Sequence, residues 1–388
     1  MTSISKDGIK VQPVSVKAVD LLHKEQTPAE RQTYTADGSG SSASSSLEAI
    51  AIKEFHSSFS SVIGDTSTFS LLLSADTSRN PFFHKGCAYV EDIDELYVTS
   101  DLLQSTMSSR LPVILISKLS FRRTPESSSS GSLTNPVTSI EWMKLRPPAN
   151  MPMPSGAIPY KKGVLYCSQG TAEVYSGGLF YMPLGKRPVP VVTNYFGRPF
   201  NSIQSVVEDK DGALWFTDSC AGFEQEIRPP PRMPSHVYWF HPTTGELRVV
   251  ADNLKRPAGI ALSPGEDMLY VTDTEAARPG NKRSSTSSAT IYAYDIIRRP
   301  GASPFLVNRR VFAFAFSGVP AAVVCDSTGN VYAACADGVE VFNSGGTALG
   351  LIQIPGTCSS LCFGCKGELL VCAGQCLWRL QLEGTIFH

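Results

Sequence analysis

Residues 195–274 repeat one short phrase, and that repetition constrains what the chain can fold into. Each copy holds an apolar strand (205–207, 259–262), a turn rich in Asp, Gly or Pro, and a second strand closing on Thr-Asp (214–218, 269–273). Strand pairs recurring about every 55 residues predict β-propeller blades, units that bury their faces only by stacking on neighbours. The phrase returns in residues 318–332, where Val323-Val324-Cys325 leads through Asp326-Ser327-Thr328-Gly329-Asn330 into Val331-Tyr332. Further strands are expected at 69–74, 112–119, 140–145, 164–169, 178–182, 291–294, 310–316, 338–342 and 349–354, with 358–380 closing the ring.

The wording of these phrases narrows the reading. One repeat opens Gln204-Ser205 and the other Pro257-Ala258-Gly259, Cys167-Ser168-Gln169-Gly170 ends a strand, and Glu91 to Ser100 supplies a turn and second strand. On these residues, from about 50 to 388, the chain resembles the SMP-30/gluconolactonase/lactonohydrolase family, its fungal members especially. The resemblance implies an all-β, six-bladed β-propeller over 49–388, behind a flexible N-terminal extension and Ser-rich linker over 1–48. The run Ala36 to Ser46 has too little apolar surface to offset its ordering entropy, and 16–22 could form a helical turn or two.

Totals exclude several classes. The chain has 34 basic and 35 acidic residues, a balance that argues against a nucleic-acid partner. Apolar residues at 42% supply a core, and 31 Gly with 27 Pro punctuate many short strands. No apolar run approaches the roughly 18 residues of a membrane span, and residues 1–24 lack the apolar core of a secretion signal. A cytoplasmic protein is therefore expected, with its ten cysteines as reduced, mostly buried thiols. The cluster Cys358, Cys362, Cys365, Cys372 and Cys376 does not form two clean zinc knuckles. Basic residues in the loop 279–288 read as a solvated surface, and so does the Ser-rich stretch 125–136.

Relatives of this kind draw metal ligands from a Glu, two Asn and an Asp on four blades. The resemblance places those four positions on Lys85, Gln204, Ala258 and Ala321. Two methyl groups cannot ligate a divalent ion, an ammonium carries the wrong charge, and Gln has altered reach. No metal and no cofactor is therefore expected, and no replacement triad appears in the form of a Gly-x-Ser-x-Gly elbow or a Ser or Cys paired with a placed His.

An emptied, more apolar channel suits a hydrophobic small-molecule substrate. Depleted propellers like this one include hetero-Diels-Alderases that join a tropolone quinone methide to a terpene such as humulene. The resemblance thus implies a metal-independent cyclase in fungal secondary metabolism. The alternatives are a lactonohydrolase-like hydrolase with an altered site and a non-catalytic binding propeller. Lys85 and Gln204 are the expected catalytic donors, against readings as a solvated lysine and a backbone-bonding amide. Tyr195, Phe196, Phe223, Ala258 and Ala321 are the expected substrate-binding residues. Trp215 and Phe216 lie on an alternating strand and read as core, and Asp218 and Asp273 read as ties between adjacent blades.

Overall fold

A computed structural model describes residues 15–20, 32–34, 50–64, 67–75, 80–103, 112–124, 136–278, 287–365 and 367–383. These build a six-bladed β-propeller, each blade an antiparallel meander running outward from the central channel. The inner strands are Lys85–Val90, Pro154–Pro159, Ile203–Glu208, Pro257–Leu262, Ala322–Cys325 and Ser360–Phe363. Each packs beside the inner strand of the next blade, and the sixth packs beside the first, so the ring closes.

The core lies between blades. Six apolar clusters, one for each pair of neighbouring blades, carry the burial. Second strands, covered on both faces, read as unbroken apolar runs. Gly163–Ser168 and Leu214–Asp218 are buried at every residue. Trp215 and Phe216 are both fully buried, as expected of core, and the Trp215 indole donates to Asp209 Oδ2 at 2.9 Å.

Ring closure departs from the sequence expectation. Blade 6 contributes only Ser360–Phe363, Glu368–Ala373 and Cys376–Gln381 from the C-terminal part of the chain. Its outermost strand is Thr68–Ser74, which pairs antiparallel with Cys376–Gln381. A further strand, Ala51–Glu54, adds a fifth strand to blade 5 by pairing with Ala348–Gln353. Residues 358–380 therefore do not close the ring alone.

In the N-terminal extension, Ser15–Asp20 is a strand rather than the helical turns expected there. It pairs parallel with Val137–Leu145 of blade 1 and antiparallel with Gln32–Tyr34. The Ser-rich run 36–46, most of the loop 125–136, and Lys282 and Arg283 lie outside the described residues.

A buried ionic cluster crosses the same closure. Glu368 of blade 6 is 1% exposed and accepts from both Arg379 of its own blade and Arg123 of blade 1, with Arg123 Nη2 at 2.9 Å. Arg123 Nε also meets Asp94 Oδ2 at 2.8 Å. Burial alone would depress the Arg123 guanidinium, but the two carboxylates outweigh it and hold the group above its ordinary range.

These contacts predict which truncation the fold tolerates. A chain starting at residue 49 is expected to fold, whereas one starting at residue 77 should aggregate, because blade 6 would then lack its outer strand. Size-exclusion chromatography and thermal unfolding of the two chains check this.

Candidate functional site

The inner strands start at one end of the channel, and there the backbone is irregular in a repeated way. Blades 1 to 4 each lose register at this point, between Lys85 and Ala88, Pro154 and Ala157, Ile203 and Ser205, and Pro257 and Ile260. A bulge adds an unpaired residue and re-aims side chains, so each inner strand breaks its alternation where it meets the channel mouth.

Glycine permits this convergence. Gly86 sits at φ +60, and a Cβ there would lie 2.6 Å from the Ser155 carbonyl oxygen of blade 2. At Gly156 a Cβ would overlap the Gln204 carbonyl of blade 3. The bulged backbone is satisfied by threonines. Thr217 Oγ1 accepts from Ser205 N at 3.2 Å and donates to Ala258 O of the next blade at 2.7 Å. Thr99 Oγ1 likewise donates to Ser155 O at 2.7 Å, joining blade 1 to blade 2.

The aspartates after these threonines act differently from the sequence expectation. Asp218 accepts from Asn201 N at 3.0 Å and Ser202 N at 2.6 Å, and Asp273 accepts from Lys255 N and Arg256 N at 2.9 Å each. Those donors precede the inner strand of the same blade. The aspartates tie each blade to its own entry segment, and threonine makes the link to the neighbour.

Inside the ring lies a cavity of about 330 Å³, lined from all six blades. Lys85, Gln204, Ala258 and Ala321 line it together, joined by Gly156 of blade 2 and Ser359 of blade 6. Deeper walls are apolar, with Ile158, Val206, Ile260, Val323, Leu361 and Phe363. Among the described lining residues there is no Asp, Glu or His.

Tyr195, Phe196 and Phe223 are not among the lining residues. Phe196 is 78% exposed at the tip of a short hairpin, with φ 47, and Phe223 is 45% exposed in the helical turn Ala221–Glu224. Tyr195 packs against Phe196 and Tyr238 on blade 3. The hairpin and the helical turn leave Phe196 and Phe223 exposed, and none of the three rings forms the cavity wall.

Lys85 Nζ donates to Gln204 Oε1 at 2.8 Å across the cavity, from blade 1 to blade 3. The Gln204 amide is held from its other end, where Nε2 donates to Ser202 Oγ at 2.9 Å and Gln169 Oε1 at 3.1 Å. Ser202 Oγ donates in turn to Gln169 Oε1 at 2.8 Å. The carbonyl end of Gln204 therefore faces the ammonium. Gln169 and Ser202 are the support that sequence reading missed, although Gln169 stood in the quoted strand end.

Burial, and then the nearby Arg256 cation, push the Lys85 amine down to about 8, while Asp101 and Cys167 oppose the shift. His84, beside it in sequence, is pushed down to about 4, chiefly by burial, and its Nε2 lies 3.7 Å from Asp101 Oδ1. Cys87 and Cys362 also line the cavity, with their sulfurs 3.1 Å apart, and burial holds both thiols well above their usual range. Near neutral pH, Lys85 is the ionised side chain among the described lining residues.

A divalent ion does not fit this donor set. The one amide oxygen at the four expected positions, Gln204 Oε1, already accepts from an ammonium, and Ala258 and Ala321 offer methyl groups. Among the described residues, no group of three or more His, Cys, Asp or Glu side chains could hold a metal. No described helix is long and apolar enough to cross a membrane.

Fold and channel together define a six-bladed propeller with a small-molecule-sized axial cavity. The profile described as "SMP-30/Gluconolactonase/LRE-like region" matches residues 143–374, more than half of the chain, and the protein belongs to that family. It is 33% identical over 196 residues to a gluconolactonase of Zymomonas mobilis, covering 48% of this chain and 52% of that protein. It is 28% identical over 223 residues to the lactonohydrolase oryL of Aspergillus oryzae, covering 53% of this chain and 50% of the relative. The chain thus spans about half the length of these relatives. A solved gluconolactonase of Xanthomonas campestris superposes with TM-score 0.65 at 25% identity, over 87% of this chain and 96% of that one.

The close approach at Gly156 yields a test of how the site is held. Gly156→Ala should push the Gln204 carbonyl outward and cost about 1–3 kcal/mol, the range for an overpacked interior. Chemical denaturation of the variant against the parent protein measures it.

Proposed function

We propose that the protein is a metal-independent enzyme that closes a ring in an apolar small molecule, by a hetero-Diels-Alder or related cyclisation in its axial cavity. The supporting observation is the cavity wall: one lysine held by a glutamine, among mostly apolar groups with a few serines and thiols, and no Asp, Glu or His among the described lining residues. A cycloaddition between an oxadiene (C=C–C=O) and an alkene forms one C–O and one C–C bond. It releases no leaving group and transfers no proton, so it needs neither a general base nor an activated water.

Such a site can contribute in two ways. Apolar walls that align two reactants remove translational and rotational entropy from the barrier. Lys85 can donate to the diene oxygen as negative charge develops there, and a fixed donor in a water-poor site is commonly worth about 10²–10³ in rate. Gln204 keeps the ammonium in place by accepting one of its three N–H groups. Ala258 and Ala321 leave room where longer side chains would fill the channel.

Lactone hydrolysis is the second reading, favoured by relatives named as a gluconolactonase and lactonohydrolases. In this cavity a hydrolase would have to use Lys85 as its base, in the neutral form present above about pH 8.

The two readings carry opposite pH signs. Cyclisation that depends on the ammonium should fall as pH rises through about 8, whereas hydrolysis with an amine base should rise. With a quinone-methide-type oxadiene and a terpene alkene as substrates, cyclisation should survive a chelator and fall about 10²-fold in Lys85→Met. Ala258→Leu should raise the apparent KM. Chelator-sensitive lactone hydrolysis, without cyclisation, would overturn the proposal.

A further inference from the structure

The cavity wall holds a cation that no carboxylate touches, although Asp101 acts on it from outside the lining. Lys85 is part-buried and forms no ion pair with any described carboxylate, and it donates to a neutral amide oxygen, Gln204 Oε1. The charged groups nearest to it make their direct contacts elsewhere. Asp101 lies against His84 at 3.7 Å, and Arg256 Nε is paired with Glu224 Oε2 at 2.7 Å, with Nη1 donating to Thr274. The Gln204 amide cannot turn to serve another ligand without giving up its bonds to Ser202 and Gln169.

We infer that the cavity recognises a monoanion: one oxyanion, as in a deprotonated enol, phenol or carboxylic acid, carried on a rigid apolar body. The inference rests on the reading that the axial cavity is the substrate site, and it adds that the bound molecule is charged before any bond is made. An ammonium drawn from water into a wall of methyl groups is costly unless an anion joins it. The two N–H groups not used on Gln204 are available to such an oxygen, and charge-assisted bonds of this kind are short and strong. One cation matches one negative charge. A dianion would leave its second charge against Ala258, Ala321 or the apolar walls.

Bound anion and lysine proton are linked. The groups acting on Lys85 are His84 from its own segment, Asp101 from the turn of blade 1, Cys167 from blade 2 and Arg256 from the entry to blade 4. An oxyanion beside Nζ favours the ammonium, so binding above about pH 8 must take up a proton and weaken as pH rises.

A pair of isosteric probes isolates the charge. 2-Naphthoate and 2-naphthamide share shape and differ by one negative charge, and isothermal titration calorimetry on the full chain measures both. At pH 7 the naphthoate is expected to bind at least about 10-fold more tightly, the range one desolvated charge-assisted bond supplies. The preference should shrink at pH 9.5 and vanish in Lys85→Met, with circular dichroism confirming that the variant is folded. Ala258→Leu should weaken both probes. Equal affinity for the two probes, a preference that survives Lys85→Met, or no binding of either overturns the anion assignment. If both bind equally and Ala258→Leu weakens both, the charge assignment fails while the cavity remains the binding site. If Ala258→Leu alters neither, the cavity reading itself fails.

Discussion

Everything in this molecule depends on how the ring is shut. A propeller ring is shut only when its last blade is completed, and here the completing strand, Thr68–Ser74, lies some 300 residues before the strand it pairs with. Leu72 and Leu73 of that strand join Phe83, Trp142 and Leu370 in one cluster that spans blades 6 and 1. Glu368 lies in the same closure between two guanidinium groups, Arg123 and Arg379. A carboxylate this deeply buried is tolerated because both partners are present, and losing one typically costs about 3–5 kcal/mol. Lys85 opens the inner strand on the blade 1 side of that junction, so the site inherits its geometry from the closure.

The second constraint is convergence at the axis. Inner strands that kept strict alternation would point successive side chains alternately toward each neighbouring blade. Bulges at the start of blades 1 to 4 break that alternation at the positions that line the mouth. Gly86 and Gly156 allow backbones to pass where a Cβ would collide, and Thr99 and Thr217 bind the neighbouring carbonyls. The recurring Thr-Asp phrase has two separate duties. Threonine holds the next blade, and aspartate fastens the entry segment of its own blade.

The cavity that results is chemically spare. Its wall holds one ionised side chain, two thiols pressed together and kept protonated by burial, a third thiol at Cys325, the hydroxyls of Ser205, Ser359 and Ser360, and mostly aliphatic groups between them. In such surroundings a part-buried cation has more effect than it would on the surface, because water screens it less. Kinship with lactonases describes the ring and its ancestry, while the groups inside the ring set the chemistry available to this chain.

Much of the architecture was legible in the chain order itself. Repeated strand-turn-strand phrases identified a propeller, and the strands at 214–218 and 338–342, second in blade 3 and third in blade 5, fell where the spacing put them. Side-chain periodicity determines these because burial on alternate faces, or on both, leaves a direct trace in residue type. The four positions Lys85, Gln204, Ala258 and Ala321 could be picked out one by one from wording, and the structure gathers them in one cavity. Tertiary structure alone decided the rest. Which strand completes blade 6 is a pairing across some 300 residues, and no local pattern encodes it. The register shifts sit at the mouth residues, and Tyr195, Phe196 and Phe223 lie in a hairpin and a helical turn that do not line the cavity. The contact of Lys85 with Gln204, separated by 119 residues, exists only because six blades bring their inner strands to a common axis.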